Sequence, residues 1–399
     1  MSDLEAFREE VRAFLEEHAP KSLRGTSPCG PFDGYWGGKK HPPVDPDVLR
    51  WRDVCYERGF TAPTWPREYG GAGLSRKHAA ILWEEMRAMG LPRPVVGFGF
   101  AMIGPTLLEY GSEELKREHL PKIARGEIRW CQGYSEPGAG SDLANVQMRA
   151  ERDGDHFILN GQKIWTSHAD KSDWIFCLVR TNSSAKKQQG ITFILVDMET
   201  PGVTPRKIDL ISGSSPFCET FFENVRVPVR NVVGEIDKGW TVGKALLAHE
   251  RANIGSSIGR MPGSGQRELV DRARRHLAWS EGKIEDAVLR EQIAELGMIE
   301  EAFQLTLDRV AQKAQSGNPG SESSILKVVA TELKQRRYEL GQAIGGLQSL
   351  GWEGPGFDAD DLAFTREWLR SRANTIEGGS SEIQRNIIAK QVLGLPEVK

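Results

Sequence analysis

The chain has 399 residues, 39% hydrophobic and 27% charged, with a formal net charge of -3 at pH 7. This is an ordinary globular composition with length for two or three domains, and its near-neutral charge implies no nucleic-acid or anionic-membrane partner. No run approaches the roughly 18 apolar residues of a membrane span. The first residues, Met1-Ser2-Asp3-Leu4-Glu5, are acidic and helix-forming rather than basic then apolar, so no signal peptide is expected. Cys29, Cys55, Cys131, Cys177 and Cys218 are scattered without a Cys-x-x-Cys, which reads as free thiols and a cytoplasmic protein. The histidines show no His-x-x-x-His spacing, and no metal is expected.

Leu4, Phe7, Val11 and Phe14 lie on one face at helical spacing and predict a first helix. Residues 19–46 are rich in Pro and Gly and read as an irregular excursion, a substrate-side, interface or plain surface loop. A helix follows to Arg58, then a turn cluster from Thr61 to Gly71, then helices over about 75–89, 100–110 and 113–126. Residues 1–127 thus read as an all-helical domain. The period changes near Ile128. Phe157-Ile158-Leu159 and Lys163-Ile164-Trp165 flank Asn160-Gly161, a dipeptide that tolerates positive φ and predicts a hairpin there. Strands are expected at Trp174–Arg180, Ile191–Met198 and Glu219–Arg226, with Asn224 at or near a strand end and Pro228 closing the run. Residues 128–238 read as an antiparallel β-domain, a sandwich or barrel. From Trp240 the pattern is helical to the end. Ile293, Leu296, Ile299, Phe303, Leu307 and Val310 form one stripe; Ile325, Val329, Leu333, Leu340 and Ile344 form another, with Asn318-Pro319-Gly320 breaking the helices between. Residues 239–399 read as a four-helix bundle. The fold class is α+β.

The stretch Trp130 to Asp142 reads Trp-Cys-Gln-Gly-Tyr-Ser-Glu-Pro-Gly-Ala-Gly-Ser-Asp. Gly138, Ala139, Gly140 and Ser141 carry little bulk and leave backbone N–H groups free to meet a ligand closely. A lone Gly-x-Gly would be an ordinary tight loop, and no helix with a third glycine follows, so a Rossmann unit is not expected. The whole string resembles the flavin-contacting strand and loop of the acyl-CoA dehydrogenase family, whose signature is Ser/Thr-Glu-Pro-x-Ala-Gly-Ser-Asp. Later stretches match in the same order, from about residue 50 to residue 396.

The resemblance implies a helical domain, a β-domain and a helical bundle, with FAD lying between the last two. By position it puts Gln132, Tyr134 and Ser135 along the flavin ring and Trp165, Thr166 and Ser167 on the opposite side. The Ser167 hydroxyl would bond the reactive flavin nitrogen, where a donor stabilises the reduced ring. A neighbouring subunit completes the adenosine half in the family, through Gln-x-x-Gly-Gly, matched here by Gln342, Gly345 and Gly346. Ser380 and Glu382 match the family's Thr and Gln of the C-terminal loop. Glu382 departs from the pattern, since an anion beside a pyrophosphate is unfavourable. The Phe-Gly after the family's flavin-binding Arg is missing, leaving Arg272, Arg274 and Arg275 as candidates. The family's Gly-Gly-x-Gly-Tyr is rearranged over Gly345 to Trp352. Ser141 and Arg251 match positions that contact the CoA part of the substrate.

The family's reaction is α,β-dehydrogenation of an acyl-CoA thioester, with a carboxylate removing the α-proton. In many members that carboxylate lies seven residues before the Arg of Ile-Gln-Arg, where this chain has Gly378, with Glu377 one residue earlier. In isovaleryl- and long-chain-type members it lies on a helix directly before an Arg, as Glu250 does before Arg251. Glu250 is the expected base and Glu377 the second candidate, while Gly378 would offer its N–H to the thioester carbonyl. Without the resemblance Glu250 would read as a solvated helix residue paired with Arg251 or His249. The resemblance further implies fatty acid metabolism, a homotetramer or homodimer, and an electron-transfer flavoprotein as electron acceptor. Two alternatives stand beside it: a flavin oxidase or monooxygenase on the same fold, and a non-catalytic acyl-CoA-binding subunit of a heteromer.

Overall fold

The computed structural model describes residues 3–30, 32–43, 45–247, 264–315 and 323–396. The chain divides into two compact units, residues 1–208 with 216–250 and residues 209–215 with 251–399.

The first unit opens with helices α1 (Asp3–His18), α2 (Pro46–Glu57), α3 (Arg76–Ala88), α4 (Gly104–Tyr110) and α5 (Glu113–Ala124). Their starts are set by local chemistry. Asp45 accepts from the Asp47 N–H ahead of a proline in the first turn, and Ser75 and Ser112 accept from His78 and Leu115. Val11, Phe14 and Leu15 of α1 pack with Trp51, Leu82 and Met86. The 19–46 excursion is irregular apart from one 3-10 turn, Lys21–Leu23. It is fastened to the chain before α4 by Arg93 N–H to Asp33 O (3.0 Å) and Val96 N–H to Tyr35 O (2.8 Å). A π-helical turn, Gly99–Ile103, leads into α4. Gly104 follows it because a Cβ there would lie 2.3 Å from the Trp65 ring.

Seven strands follow: β1 (Trp130–Gly133), β2 (Arg149–Asp153), β3 (His156–Ser167), β4 (Trp174–Arg180), β5 (Ile191–Asp197), β6 (Val203–Ile208) and β7 (Phe217–Pro228). They form one sheet in the order β1-β4-β2-β3-β7-β6, with β5 also on β4. Most pairs are antiparallel, but β1 runs parallel to β4, with Trp130 opposite Trp174, and Arg149 of β2 meets Arg180 in parallel. The sheet is therefore mixed. The physical reason is that the β2–β3 excursion separates β1 from β4 in sequence, long enough for a crossover that returns the chain in the same direction.

The hairpin expected at Asn160-Gly161 is not there. The strand β3 runs through both residues, and the turn between β2 and β3 is Gly154-Asp155, with Asp153 opposite His156. Asn160-Gly161 instead makes a bulge: the register passes from Leu159↔Val225 to Gly161↔Phe222. Asn224, expected at or near a strand end, lies inside β7 at φ 51 and completes the bulge. Its N–H donates to Asn160 Oδ1 at 2.8 Å, and its Oδ1 accepts from Asn160 Nδ2 at 3.2 Å. Positive φ is used here to kink two paired strands rather than to end one. A further helix, α6, begins at 239 and continues to 247.

The second unit contains α7 (Ser264–His276), a short ribbon of β8 (Trp279–Ser280) and β9 (Lys283–Ile284), α8 (Ala287–Gln315), α9 (Ser323–Gly345), α10 (Ala359–Ser371) and α11 (Ser381–Ile387). The ribbon interrupts the purely helical course expected from Trp240 onward. Helix α9 is central and packs on α7, α8, α10 and α11. Leu269, Ile293, Leu296, Tyr338, Leu340, Ile344 and Phe364 form one apolar cluster, and Phe303, Leu307, Val310, Leu326 and Ala330 a second. The expected stripes are the buried faces of α8 and α9, with Ile299, Ile325, Val329 and Leu333 half-buried at their margins. Asn318-Pro319-Gly320 lies outside the described residues.

Candidate active site

In the first unit the end of β1 and the end of β3 come together. Ile164 N–H donates to Ser135 O at 2.9 Å, so Gln132–Ser135 and Trp165–Ser167 lie on neighbouring runs of backbone. The loop between is built on a buried ion pair. Lys163 is fully buried, and its Nζ donates to Glu136 Oε1 (2.7 Å), Tyr134 O (3.2 Å) and Leu178 O (2.6 Å). Glu136 also accepts from the Gln147 and Met148 N–H groups at 2.6 and 3.0 Å. One ammonium thus ties the backbone beside Ser135 to β3 and β4. Tyr134 is buried, its hydroxyl 3.5 Å from Gly243 O. Gly138 and Gly140 face open space, with nothing within 4 Å of where a Cβ would stand. Room for a ligand is what the small residues preserve there.

Ser141 is exposed beside Asp142, which pairs with Lys187. Buried Arg180 holds both neighbouring segments: it donates to Ala144 O (2.8 Å) and Val146 O (3.1 Å) on one side, and to Lys187 O (3.1 Å) and Gln189 O (2.9 Å) on the other.

The β3 end is unusual in three ways. Trp165 adopts φ 58, outside the regions that bulky residues favour, within a second bulge between Lys163 and Thr166. Its indole is 53% exposed, resting edge-on against Phe217. Thr166 is fully buried, and its hydroxyl has no partner among the described residues. Ser167 stays half-exposed, and His168 again takes φ 56. Burial, reinforced by the Arg129 guanidinium, pushes the His168 imidazole down to about 4, so the ring is neutral at ordinary pH.

The second unit assigns several expected binding residues to its own architecture. Arg272 is buried: it donates to Gly341 O (2.8 Å) and Ser349 Oγ (3.2 Å), pairs with Asp361, and lies over the Phe364 ring. Arg274 pairs with Asp271 and Arg275 with Asp360. Gly345 must be glycine, since a Cβ would sit 2.3 Å from both Arg272 Nη2 and Ser349 Oγ. Gly346 stands at φ 52 in the open. Gln342 is half-buried, with its buried Nε2 unpartnered among the described residues. Ser380 caps α11 through the Ile383 N–H. Glu382 is exposed in the first turn; backbone N–H and Ser380 hydrogen bonds hold its carboxyl below its ordinary value.

Glu377 is engaged: Arg370 Nη2 donates to it at 2.7 Å and Asn374 Nδ2 bonds its other oxygen. Gly378 and Gly379 follow at φ 65 and 89, and Gln384 Nε2 donates to Gly378 O at 3.1 Å. Glu250 and Arg251 lie outside the described residues. The sequence reading did not single out Lys163 or Glu136. The available signal was a lysine inside the apolar run Lys163-Ile164-Trp165, read there as hairpin flank.

These elements are the parts of a known family. The sequence matches the acyl-CoA dehydrogenase N-terminal domain over residues 1–127, the middle domain over 131–225 and the C-terminal domain over 237–393. The chain belongs to the acyl-CoA dehydrogenase family, whose members are oxidoreductases that bind FAD. It is 36% identical over 401 residues to acyl-CoA dehydrogenase IpdE1 of Mycobacterium tuberculosis, covering 99% of each chain. Among solved structures it resembles the Tcur3481-Tcur3483 steroid ACAD, with TM-score 0.76, 31% identity, and 99% and 98% of the two chains covered. It also resembles the ChsE4-ChsE5 complex from Mycobacterium tuberculosis, with TM-score 0.74, 30% identity, and 100% and 99% covered.

Proposed function

We propose that the chain dehydrogenates an acyl-CoA thioester to the trans-2-enoyl-CoA with FAD, using Glu250 as base, and passes electrons to an electron-transfer flavoprotein. The observation that carries the choice of base is the state of Glu377. A carboxylate that must take a poorly acidic α-proton needs a dry, uncompensated setting that raises its proton affinity. Glu377 is not in such a setting: its side chain is partly exposed, with a guanidinium at 2.7 Å and an amide on its second oxygen.

The residues fit FAD. Open space at Gly138 and Gly140, the exposed Trp165 indole and the half-exposed Ser135 and Ser167 side chains would take the ring system with Gln132, Tyr134 and the buried Thr166 behind them. Gln342, with its Nε2 unpartnered among the described residues, and the open Gly346 would take the adenosine half, while Gly345, Ser380 and Glu382 shape those turns. FAD bound there supplies the two-electron acceptor for the β-hydrogen. The Ser167 hydroxyl donates towards negative charge on the ring, and the Gly378 N–H, turned by its left-handed φ, polarises the thioester carbonyl. Arg251 and Ser141 hold the CoA portion. Leu347 and Leu350, 82% and 78% exposed beside Gly346, favour burial against a second subunit. That subunit is a further copy of this chain, in a dimer or tetramer.

The relatives' names direct the substrate panel towards bulky ring-bearing acyl groups as well as fatty acyl chains. Anaerobic titration of the purified protein with such acyl-CoAs, followed by flavin absorbance, is compared for wild type, Glu250→Gln and Glu377→Gln. The expected outcome is bleaching in wild type and Glu377→Gln, and its loss in Glu250→Gln. Bleaching lost only in Glu377→Gln would overturn the assignment of the base.

A further inference from the structure

An aromatic cluster in the first unit meets His168, the residue that follows the Trp165–Ser167 end of β3. Trp36, from the excursion loop, stacks on Phe32 with centroids 5.7 Å apart and meets Phe98 edge-on at 5.6 Å. Arg129 lies over its ring at 4.8 Å. Gly97 presses on it from another side at φ 110, where a Cβ would fall 2.9 Å from the indole. The remaining edge of Trp36 packs against the His168 ring, 5.5 Å away at 69°. Trp36 is thus clamped by residues on the excursion loop, the lead into α4 and the lead into β1, and serves as a fixed wall.

His168 transmits that fixity. It directly follows β3, and Trp165 in the bulged end of that strand and His168 just beyond it both hold positive φ. Its N–H donates to Pro216 O at 2.8 Å, and its own carbonyl accepts from Lys171 N–H at 3.0 Å and Ser172 Oγ at 2.9 Å. A strand end with two strained residues relaxes unless its surroundings over-determine it. The neutral imidazole against the Trp36 edge is the side-chain half of that determination.

We infer that Trp36 is a positioning residue: through His168 it holds the bulged end of β3 that aims Trp165, Thr166 and Ser167 at the flavin. This rests on the FAD reading above. It gives the excursion loop a role in tuning the cofactor, although the loop is more than a hundred residues from β3 in sequence.

The test uses Trp36→Ala, Trp36→Phe and His168→Asn; asparagine tolerates the left-handed backbone and lacks the ring. In FAD-stripped protein, Trp36→Ala and His168→Asn are expected to speed amide exchange at Ile164, His168 and Lys171 by about tenfold or more. In holoenzyme they are expected to weaken FAD binding by about tenfold and shift the flavin midpoint potential, while Trp36→Phe stays near wild type. Unchanged exchange and FAD affinity in folded Trp36→Ala, with only KM raised, would overturn the inference and make Trp36 a substrate wall. If Trp36→Ala does not fold, wild-type protection in His168→Asn overturns it equally. A wild-type protein that retains no FAD would defeat the reading of the site itself, a failure recognisable because the exchange measurement does not involve flavin.

Discussion

At the scale of single residues, Lys163 organises the first unit's part of the site. Its side chain is fully buried, its charge is met by Glu136, and two backbone carbonyls complete its coordination. Removing one partner of such a pair leaves the other charged and dry, which costs about 3–5 kcal/mol. Lys163→Met is therefore expected to lower unfolding free energy by about that amount in denaturant titration. The double variant Lys163→Met/Glu136→Gln should recover part of the loss, because no unpaired charge is left buried and the amide oxygen still accepts from one of the Gln147 and Met148 N–H groups. Equal stability in Lys163→Met and wild type would show that the pair does not hold the loop. None of this was legible in the sequence, where a lysine between a glutamine and an isoleucine looks like a strand residue facing water. The carboxylate that neutralises it is 27 positions away, and only folding brings the two together.

At the scale of elements, the contact between α5 and the sheet carries a titration. His119 is buried between the Trp130 and Trp174 rings, with centroids at 5.2 and 4.6 Å. Neither of its ring nitrogens has a partner among the described residues. Burial, with Lys122 and Arg230 nearby, pushes it down to about 3 from an ordinary 6.5. The unfolded chain then binds a proton between those values that the folded chain refuses. The stability is complete above about pH 6.5 and declines as pH falls towards 3, at most about 1.4 kcal/mol per pH unit from this group. His168, pushed down to about 4, adds in the same direction. His119→Phe should show a shallower decline than wild type in urea midpoints measured from about pH 7 to about pH 5; parallel declines would rule out this source. The helices themselves were legible from their helical patterning, while their caps at Asp45, Ser75 and Ser112 appeared only in the structure. The Asn160-Gly161 turn was misread for a physical reason. Positive φ permits a hairpin but equally permits a bulge, and the decision came from Asn224 on the partner strand.

At the scale of the whole molecule, each unit carries its own share of the expected binding residues. A ligand that binds only the folded chain stabilises it by mass action, about 2.7 kcal/mol at a hundredfold excess over Kd. Added FAD is expected to raise the melting temperature of stripped protein in a concentration-dependent way, and less so in Ser167→Ala. No shift at saturating FAD would argue against the proposed cofactor.

The sequence by itself determined the order of helical, β and helical regions and the family, because periodicity and the Ser135-Glu136-Pro137 string are local properties of the chain. It also exposed the carboxylate missing at Gly378, since counting back from Arg385 needs no coordinates. The tertiary structure alone decided that Glu377 is neutralised by Arg370, that Arg272 is a buried strut on Asp361, and that Ser380 serves as a cap. It also decided that β1 lies parallel to β4 and that Trp36 stands against His168. Each of these depends on which groups meet in space. Burial and pairing set what a charge or a ring can do, and neither is written along the chain.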